Sequence, residues 1–379
     1  MVLIVLVGGL FFFYAGLIFF YTNWWSQLPE FRVGPTRQST RFSVIIPARN
    51  EADNIGILLA SLQQQSYPKD LWEVLVVDDH STDNTSEIAA GFAGVRVISL
   101  QTERINSYKK EAITTGLAYA KNEWIVSTDA DCTVPTNWLK SLAALIAEKD
   151  SVFVAAPVCL VPNPFSKKTF RQRLLYIFQT LDFLTLQGIT AASVSKNVHS
   201  MCNGANLAYK KEVFYEVNGF KGIDDIASGD DMLLMHKIWK RYPERVHYLK
   251  SKDAIVQTLS AIDLPHFVNQ RIRWASKATH YEDKRISTVL LAVYLFNISF
   301  IVLLVASFFH YKFIFLFLFF WIAKTLVEYP FVSKVSRFFE KTSLLKYFFL
   351  MQPLHIAYTI IAGFLGSVGH YEWKGRWVK

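Results

Sequence analysis

The chain has 379 residues, of which 52% are hydrophobic, and a mean hydropathy of +0.22, which excludes a disordered chain and is high for one that is soluble throughout. Lys and Arg number 40 against 31 Asp and Glu, a net charge of +9. Many of these cations lie beside apolar stretches rather than in a basic stripe, a pattern that suits membrane lipid headgroups and argues against nucleic acid. Cys132, Cys159 and Cys202 are irregularly spaced, so they form neither a zinc pattern nor a disulfide framework and fit a reducing cytoplasm.

Residues 2–20 are uncharged and about as long as a bilayer core requires. No basic residue precedes them and no small-X-small site follows, so they read as an uncleaved anchor rather than a secretion signal. Arg32, Arg37 and Arg41 come next, and the bias of cations toward the cytoplasmic side places residues 32 onward inside the cell.

From 42 to 255 short β-branched runs alternate with helical stretches, which predicts an α/β domain with a mostly parallel sheet. FSVIIP (42–47) is the first strand, and a helix through 51–64 follows, opened by Asn50 and Glu51. EVLVVDD (73–79) is the second strand, with Asp83 as N-cap of the next helix; VRVISL (95–100) is the third strand, 109–120 a helix, and EWIVSTDAD the fourth strand. No Gly-X-Gly-X-X-Gly or Gly-Lys-Ser signature follows the first strand, which argues against dinucleotides and ATP hydrolysis.

Acidic residues gather where these strands end: Glu51, then Asp78 and Asp79, then Asp129 and Asp131. In open α/β sheets that edge is where ligands bind. Carboxylates collected at one rim repel one another unless a cation sits among them. A divalent metal, Mg2+ or Mn2+, on Asp131 and Asp129 is therefore an economical explanation, because hard cations take oxygen ligands and bridge to diphosphates. The alternatives are local: an Asp-rich turn at 129–131, and a turn with a helix cap at Asp78-Asp79-His80-Ser81, where either Asp could instead bond a base or ribose.

Asn203, Gly204 and Asn206 form a turn or an acceptor-binding surface, since a small residue between amides permits close approach. Asp230 and Asp231 precede an apolar helical run, as caps or as a second carboxylate station that supplies a general base. QRIRW (270–274) lies in a basic stretch; it is an interfacial amphipathic helix, or else Arg273 holds a diphosphate while Trp274 stacks on a sugar. Apolar segments return at 289–309 and 347–368, with a third at 311–331 that carries Lys312, Lys324 and Glu328. Lys324 and Glu328, four apart, share a helix face and can pair. The loop 333–346 is basic and reads as cytoplasmic. Four full crossings would leave the C-terminus outside, yet Lys374, Arg376 and Lys379 favour the inside; one apolar segment lies in the interface or re-enters, or the tail departs from the charge bias.

SVIIPARNE (43–51), VVDDHSTDNT (76–85), Asp129-Ala130-Asp131, CNGANLAYKKEVFYEVNGF (202–220), SGDDMLL and QRIRW occur in the order found in family 2 glycosyltransferases. The chain resembles their membrane-integrated branch, which includes cellulose, chitin, hyaluronan and poly-N-acetylglucosamine synthases and ceramide glucosyltransferases. The resemblance implies a GT-A type, Rossmann-like domain, a nucleotide-diphosphate-sugar donor, a divalent metal, and inversion at the anomeric carbon by single displacement. It implies that Pro47, Arg49 and Glu51 line the nucleotide pocket, that Asp79 contacts the uracil base with Asp78 beside it, and that Lys109 is the basic residue of a Gly-Lys-Ala-like segment. Ser107-Tyr108 stand where that segment often has glycine. It further implies Asp129 near the ribose and diphosphate, Asp131 as metal ligand, Asp231 as base, and Gln270, Arg273 and Trp274 on the diphosphate and acceptor. Gly-Asp-Asp replaces the usual Glu-Asp, which leaves the part played by Asp230 open.

The expected organisation is an anchor at 1–22, a cytoplasmic transferase domain at 42–255, an interfacial segment at 256–287, membrane helices at 288–370 and a basic tail at 371–379. The expected function is a glycosyltransferase of the plasma (inner) membrane that moves a sugar from a UDP-sugar to a lipid-linked or polysaccharide acceptor. Few membrane helices favour single transfer, whereas QRIRW is associated with processive synthases, and an oligomer or partner subunit could complete a channel. A catalytically silent scaffold or transport subunit is the alternative of another class.

Overall fold

The computed structural model describes residues 2–34, 39–101, 108–198, 201–226, 228–277, 281–368, 371–373 and 376–378. Arg37, Ser107, Lys374, Lys379 and the side chain of Arg376 lie outside the described residues. The chain divides into two compact units: Pro29–Val161 with Ser200–Leu259 and Glu372–Lys379, and Met1–Leu28 with Pro162–His199 and Ser260–Tyr371.

The first is a sheet unit. Its strands are β1 (Phe42–Ala48), β2 (Trp72–Asp78), β3 (Val95–Ser99), β4 (Trp124–Ser127), β5 (Cys132–Thr133), β6 (Phe153–Ala155), β7 (Val158–Val161), β8 (Leu207–Lys210), β9 (Val246–Tyr248) and β10 (Val256–Leu259). Seven of them form a sheet in the order β3-β2-β1-β4-β8-β6-β9. β3, β2, β1 and β4 are mutually parallel, while β8 runs antiparallel to both β4 and β6. Val44, Ile45 and Ile46 are fully buried, which is why β1 reads as an unbroken apolar run: a central parallel strand is covered on both faces. The chain leaves β1 toward β2 on one side and reaches β4 on the other, so a topological switch point lies between β1 and β4, where α/β sheets place ligands.

Three local expectations change. The helix expected through 51–64 spans Ile55–Gln63, with Asn54 at its N-cap. β4 ends at Ser127, so Asp129 and Asp131 follow the strand rather than belong to it. The helix Thr85–Ala90 has Asn84, not Asp83, at its N-cap; Asp83 nevertheless accepts a bond from the Thr85 amide at 3.1 Å.

The second unit is helical: Val2–Gln27, Phe170–Ser195, Leu264–Ser276, Lys284–Phe309, Lys312–Phe338 and Phe348–Val368. Residues 162–199, inside the expected transferase span, group with these helices, and the strand β10 extends the sheet unit to Leu259. Among the described residues four helices are long and apolar enough to cross a membrane, namely Val2–Gln27, Lys284–Ser307, Lys312–Phe338 and Thr342–Gly366. The third contains the pair predicted from four-residue spacing: the fully buried Lys324 donates to Glu328 Oε1 and to Gln352 Oε1, each at 2.6 Å. Gln352 and the Tyr14 hydroxyl both donate to Glu328, closing a polar network over three helices. A second buried pair joins Arg271 to Asp182 at 2.8 Å, and Tyr358 donates to the same carboxylate at 2.7 Å.

Candidate active site

Three loops meet at the carboxyl edge of the parallel strands. β8 runs antiparallel to β4 with Leu207 opposite Ser127, which brings the turn before β8 beside the segment after β4. Lys109 sits in the first turn of the helix Tyr108–Tyr119 and donates to Asp129 Oδ1 at 2.6 Å, with Asp230 Oδ2 at 3.1 Å. Burial alone would lower the pKa of the Lys109 ammonium, but Asp129, Asp230 and Asp231 more than offset it and hold the pKa raised. Lys109 is thus a permanent cation among carboxylates. Self-repulsion at this rim, taken from the sequence as the sign of a metal, is relieved in part by the chain's own ammonium.

Asp231 is buried and takes one of the two parts considered for it, that of a helix cap. It caps the helix Met232–Arg241 through the Met232 amide at 2.7 Å, and its other oxygen accepts the Gly204 amide at 3.0 Å. Each carboxylate oxygen has a second lone pair, so capping leaves acceptor capacity. Gly204 permits the approach: a Cβ there would lie 3.0 Å from Lys109 Nζ and 3.2 Å from Asp230 Oδ2.

Asn203 is half-buried and accepts the Ala205 amide at 3.0 Å, within the same turn. Asn206 is a correction. It is fully buried; its amide donates to the carbonyls of Pro157 at 2.7 Å and Ala254 at 2.8 Å, and its oxygen accepts Trp138 Nε1 at 2.9 Å. It braces the core and is not placed to meet an acceptor, because buried amides must spend their bonds locally. Asn206→Ala is expected to lower stability by roughly 2–4 kcal/mol, since three buried partners lose their mate. A fall in the melting temperature of the detergent-solubilised chain is the readout.

A second group lies on the loops after β1 and β2. Arg49 donates to the carbonyls of Asp79 at 2.7 Å and His80 at 3.2 Å, while the buried Asp79 carboxylate contacts His80 Nδ1 at 3.1 Å. The loops are further joined by the Asn50 amide to Ser81 Oγ, the Glu51 amide to Thr85 Oγ1 and the Thr82 amide to Asn50 Oδ1. Asp78 is buried, accepts the Ser81 amide at 3.3 Å and leaves Oδ1 without a hydrogen bond among the described residues. Glu51 is tied to Asn54 at 2.7 Å, and Pro47 stands opposite Val77, one pair before the β1 register ends at Ala48 and Asp78.

Asp131 accepts Thr258 Oγ1 of β10 at 3.3 Å. Among the described residues no three His, Cys, Asp or Glu side chains converge as a metal cluster. Asp129 and Asp131, both part-exposed, still fit Mg2+ or Mn2+, which at nucleotide sites take one or two carboxylates and complete their shell with phosphates and water. Gln270, Arg273 and Trp274 lie on the helix Leu264–Ser276 of the helical unit. One face of Trp274 is covered by the Arg271 guanidinium, 4.1 Å from the ring centre.

Sequence reasoning missed Lys110, Thr258 and Arg271. Each sits beside a residue that was singled out, in sequence or by strand pairing, but only long-range contact gives it a task.

Residues 43–217 match the family described as glycosyl transferase family 2. Glycosyltransferase AglE of Haloferax volcanii is 40% identical over 101 residues, which cover 26% of this chain and 33% of that protein. The 4,4'-diaponeurosporenoate glycosyltransferase of Staphylococcus haemolyticus is 27% identical over 54% of this chain and 56% of its own length, so the chain spans a third to about half of these relatives. Among solved structures, the mannosyltransferase PcManGT from Pyrobaculum calidifontis, in complex with GDP-Man and Mn2+, aligns over 96% of both chains with a TM-score of 0.55 at 20% identity, a likeness of fold. With the parallel sheet, its switch point and the carboxylates at its rim, the match makes residues 43–217 a family 2 glycosyltransferase domain.

Proposed function

We propose that the chain is a membrane-bound inverting glycosyltransferase that moves a sugar from a UDP-sugar to the hydroxyl of a lipid-linked or polysaccharide acceptor. The observation that carries this reading is the convergence of Asp129, Asp230 and Asp231 on Lys109 at the carboxyl edge of β4. Cleavage at the anomeric carbon builds positive charge on the sugar and negative charge on the diphosphate. Asp231 accepts the proton of the attacking hydroxyl, and its fixed bonds to the Met232 and Gly204 amides hold it in one orientation. Lys109 keeps Asp129 and Asp230 from repelling that base. Asp131, with Asp129, would hold Mg2+ or Mn2+, whose chemistry here is charge neutralisation of the departing diphosphate. Asp79 and Arg49 take the nucleoside.

Large apolar side chains exposed on the helical unit, such as Phe12, Phe308, Phe315 and Leu350, support membrane insertion, because lipid covers what water would not. The cations at 32 and 41 support a cytoplasmic sheet unit. The name of the Staphylococcus haemolyticus relative supports a non-polymeric acceptor. Single transfer to a lipid-linked acceptor is the favoured version. Incubating membranes with radiolabelled UDP-sugars and GDP-mannose, then separating lipid-soluble from polymeric label, tests it. Label from a UDP-sugar in the lipid fraction, lost with EDTA and restored by Mn2+ or Mg2+, is expected. No transfer from any donor would point to the silent-scaffold alternative.

A further inference from the structure

Lys109 and Lys110 are consecutive in the first turn of the helix Tyr108–Tyr119, so their side chains leave it about 100° apart. Lys109 reaches the carboxylates. Lys110 goes elsewhere: it is 2% exposed and donates to the carbonyls of Ile223 at 2.5 Å, Ile226 at 2.6 Å and Ser228 at 2.9 Å. That is as many bonds as an ammonium has protons. All three carbonyls belong to the segment between Phe220 and Asp230, whose described residues adopt neither strand nor helix. Turn bonds from the Ile223 amide to Phe220 at 2.9 Å and from the Ile226 amide to Ile223 at 3.4 Å, with Lys237 on the Lys221 carbonyl at 3.0 Å, hold its first part, and Lys110 adds three carbonyls that reach to Ser228. The segment ends at Gly229, whose φ of +83° turns the chain into Asp230 and Asp231, and where a Cβ would also lie 2.8 Å from Leu233 Cδ1.

We propose that Lys110 is a positioning residue for the acid pair: by gripping the Ile223, Ile226 and Ser228 carbonyls it fixes the loop that delivers Asp230 and Asp231. This rests on the transferase reading above for the role of Asp231. One helical turn then controls both halves of the carboxylate station, with Lys109 on the side chains and Lys110 on the backbone that feeds them. An ammonium is a costly way to fill buried space, since it must be desolvated and fully bonded. A methionine of similar length would occupy the volume, and what it would lack is the three donors. The effect of losing them falls on placement of the base, not on the nucleotide loops, which are joined through Arg49, Asn50 and Glu51.

The test uses the full-length chain in detergent, with UDP as binding probe, UDP release from the active UDP-sugar as turnover, and amide exchange as a local readout. Lys110→Met is expected to lower kcat by about 100-fold, the scale of a 1 Å misplacement. UDP affinity and donor KM are expected to stay the same, and exchange to quicken at 223–231 but not in β1–β4. Lys110→Arg, which keeps the charge and several donors, is expected to recover most of the turnover. Unchanged kcat in Lys110→Met overturns the proposal, and so does loss of UDP binding together with turnover. If Lys110→Met does not fold, Lys110→Gln, with two donors, is read by the same criteria. A wild-type chain that releases no UDP defeats the transferase reading instead; amide exchange then decides, and unchanged protection of 223–231 in the variant overturns the grip.

Discussion

Asp231→Asn is expected to reduce kcat by about 10²–10⁴-fold while UDP still binds, because the change removes a general base and little else. The asparagine side chain is isosteric and its oxygen can still accept one of the two amides, Met232 or Gly204, that hold Asp231 in place. Loss of half a cap costs about 1 kcal/mol, too little to unfold the unit. Asp230→Asn is the control. It removes the negative charge from the 3.1 Å pair with Lys109 but leaves Asp129 on the same ammonium at 2.6 Å, so a smaller fall is expected. Steady-state UDP release by the two variants, beside calorimetric UDP binding, separates base from scaffold. Equal turnover in Asp231→Asn would remove the assignment of the base.

Lys324→Met is expected to destabilise the helical unit by about 3–5 kcal/mol, the cost of leaving a buried carboxylate without its partner. Lys324 is fully buried, and Glu328 is 6% exposed. Without the ammonium, Glu328 keeps Tyr14 and Gln352 as donors but no positive charge. Adding Glu328→Gln to Lys324→Met is expected to restore more than half of the loss, since no buried charge is then left unpaired and the one amide oxygen still accepts from Tyr14 or Gln352. Thermal unfolding of the purified chain in one detergent reads both variants. A double variant no more stable than the single one would show that hydrogen bonds, not charge, hold this network.

How much was legible in the chain follows from the range of each interaction. The central strand around Ile45, the second strand, read at 73–79 and found at Trp72–Asp78, and the acids after the first, second and fourth strands were readable, because burial on both faces writes a continuous apolar run and ligand edges follow strand ends. The Lys324–Glu328 pair was readable because four residues of helix bring the two side chains together whatever surrounds them. Asn206 was misread for the converse reason. A turn of small polar residues looks the same whether its amides face a sugar or Trp138, and only the packing of the helix Trp138–Lys149 against that turn decides.

By itself, the sequence determined the alternation of strands and helices, the four apolar stretches and the identities of the acids at the rim, since these depend on local periodicity and composition. Tertiary structure alone decided that Lys109 is the cation among Asp129, Asp230 and Asp231, that Lys110 holds the loop behind them, and that residues 162–199 join the helical unit. Those outcomes depend on which segments, far apart in the chain, fold into contact, and burial makes each charge take the partner that folding brings within reach.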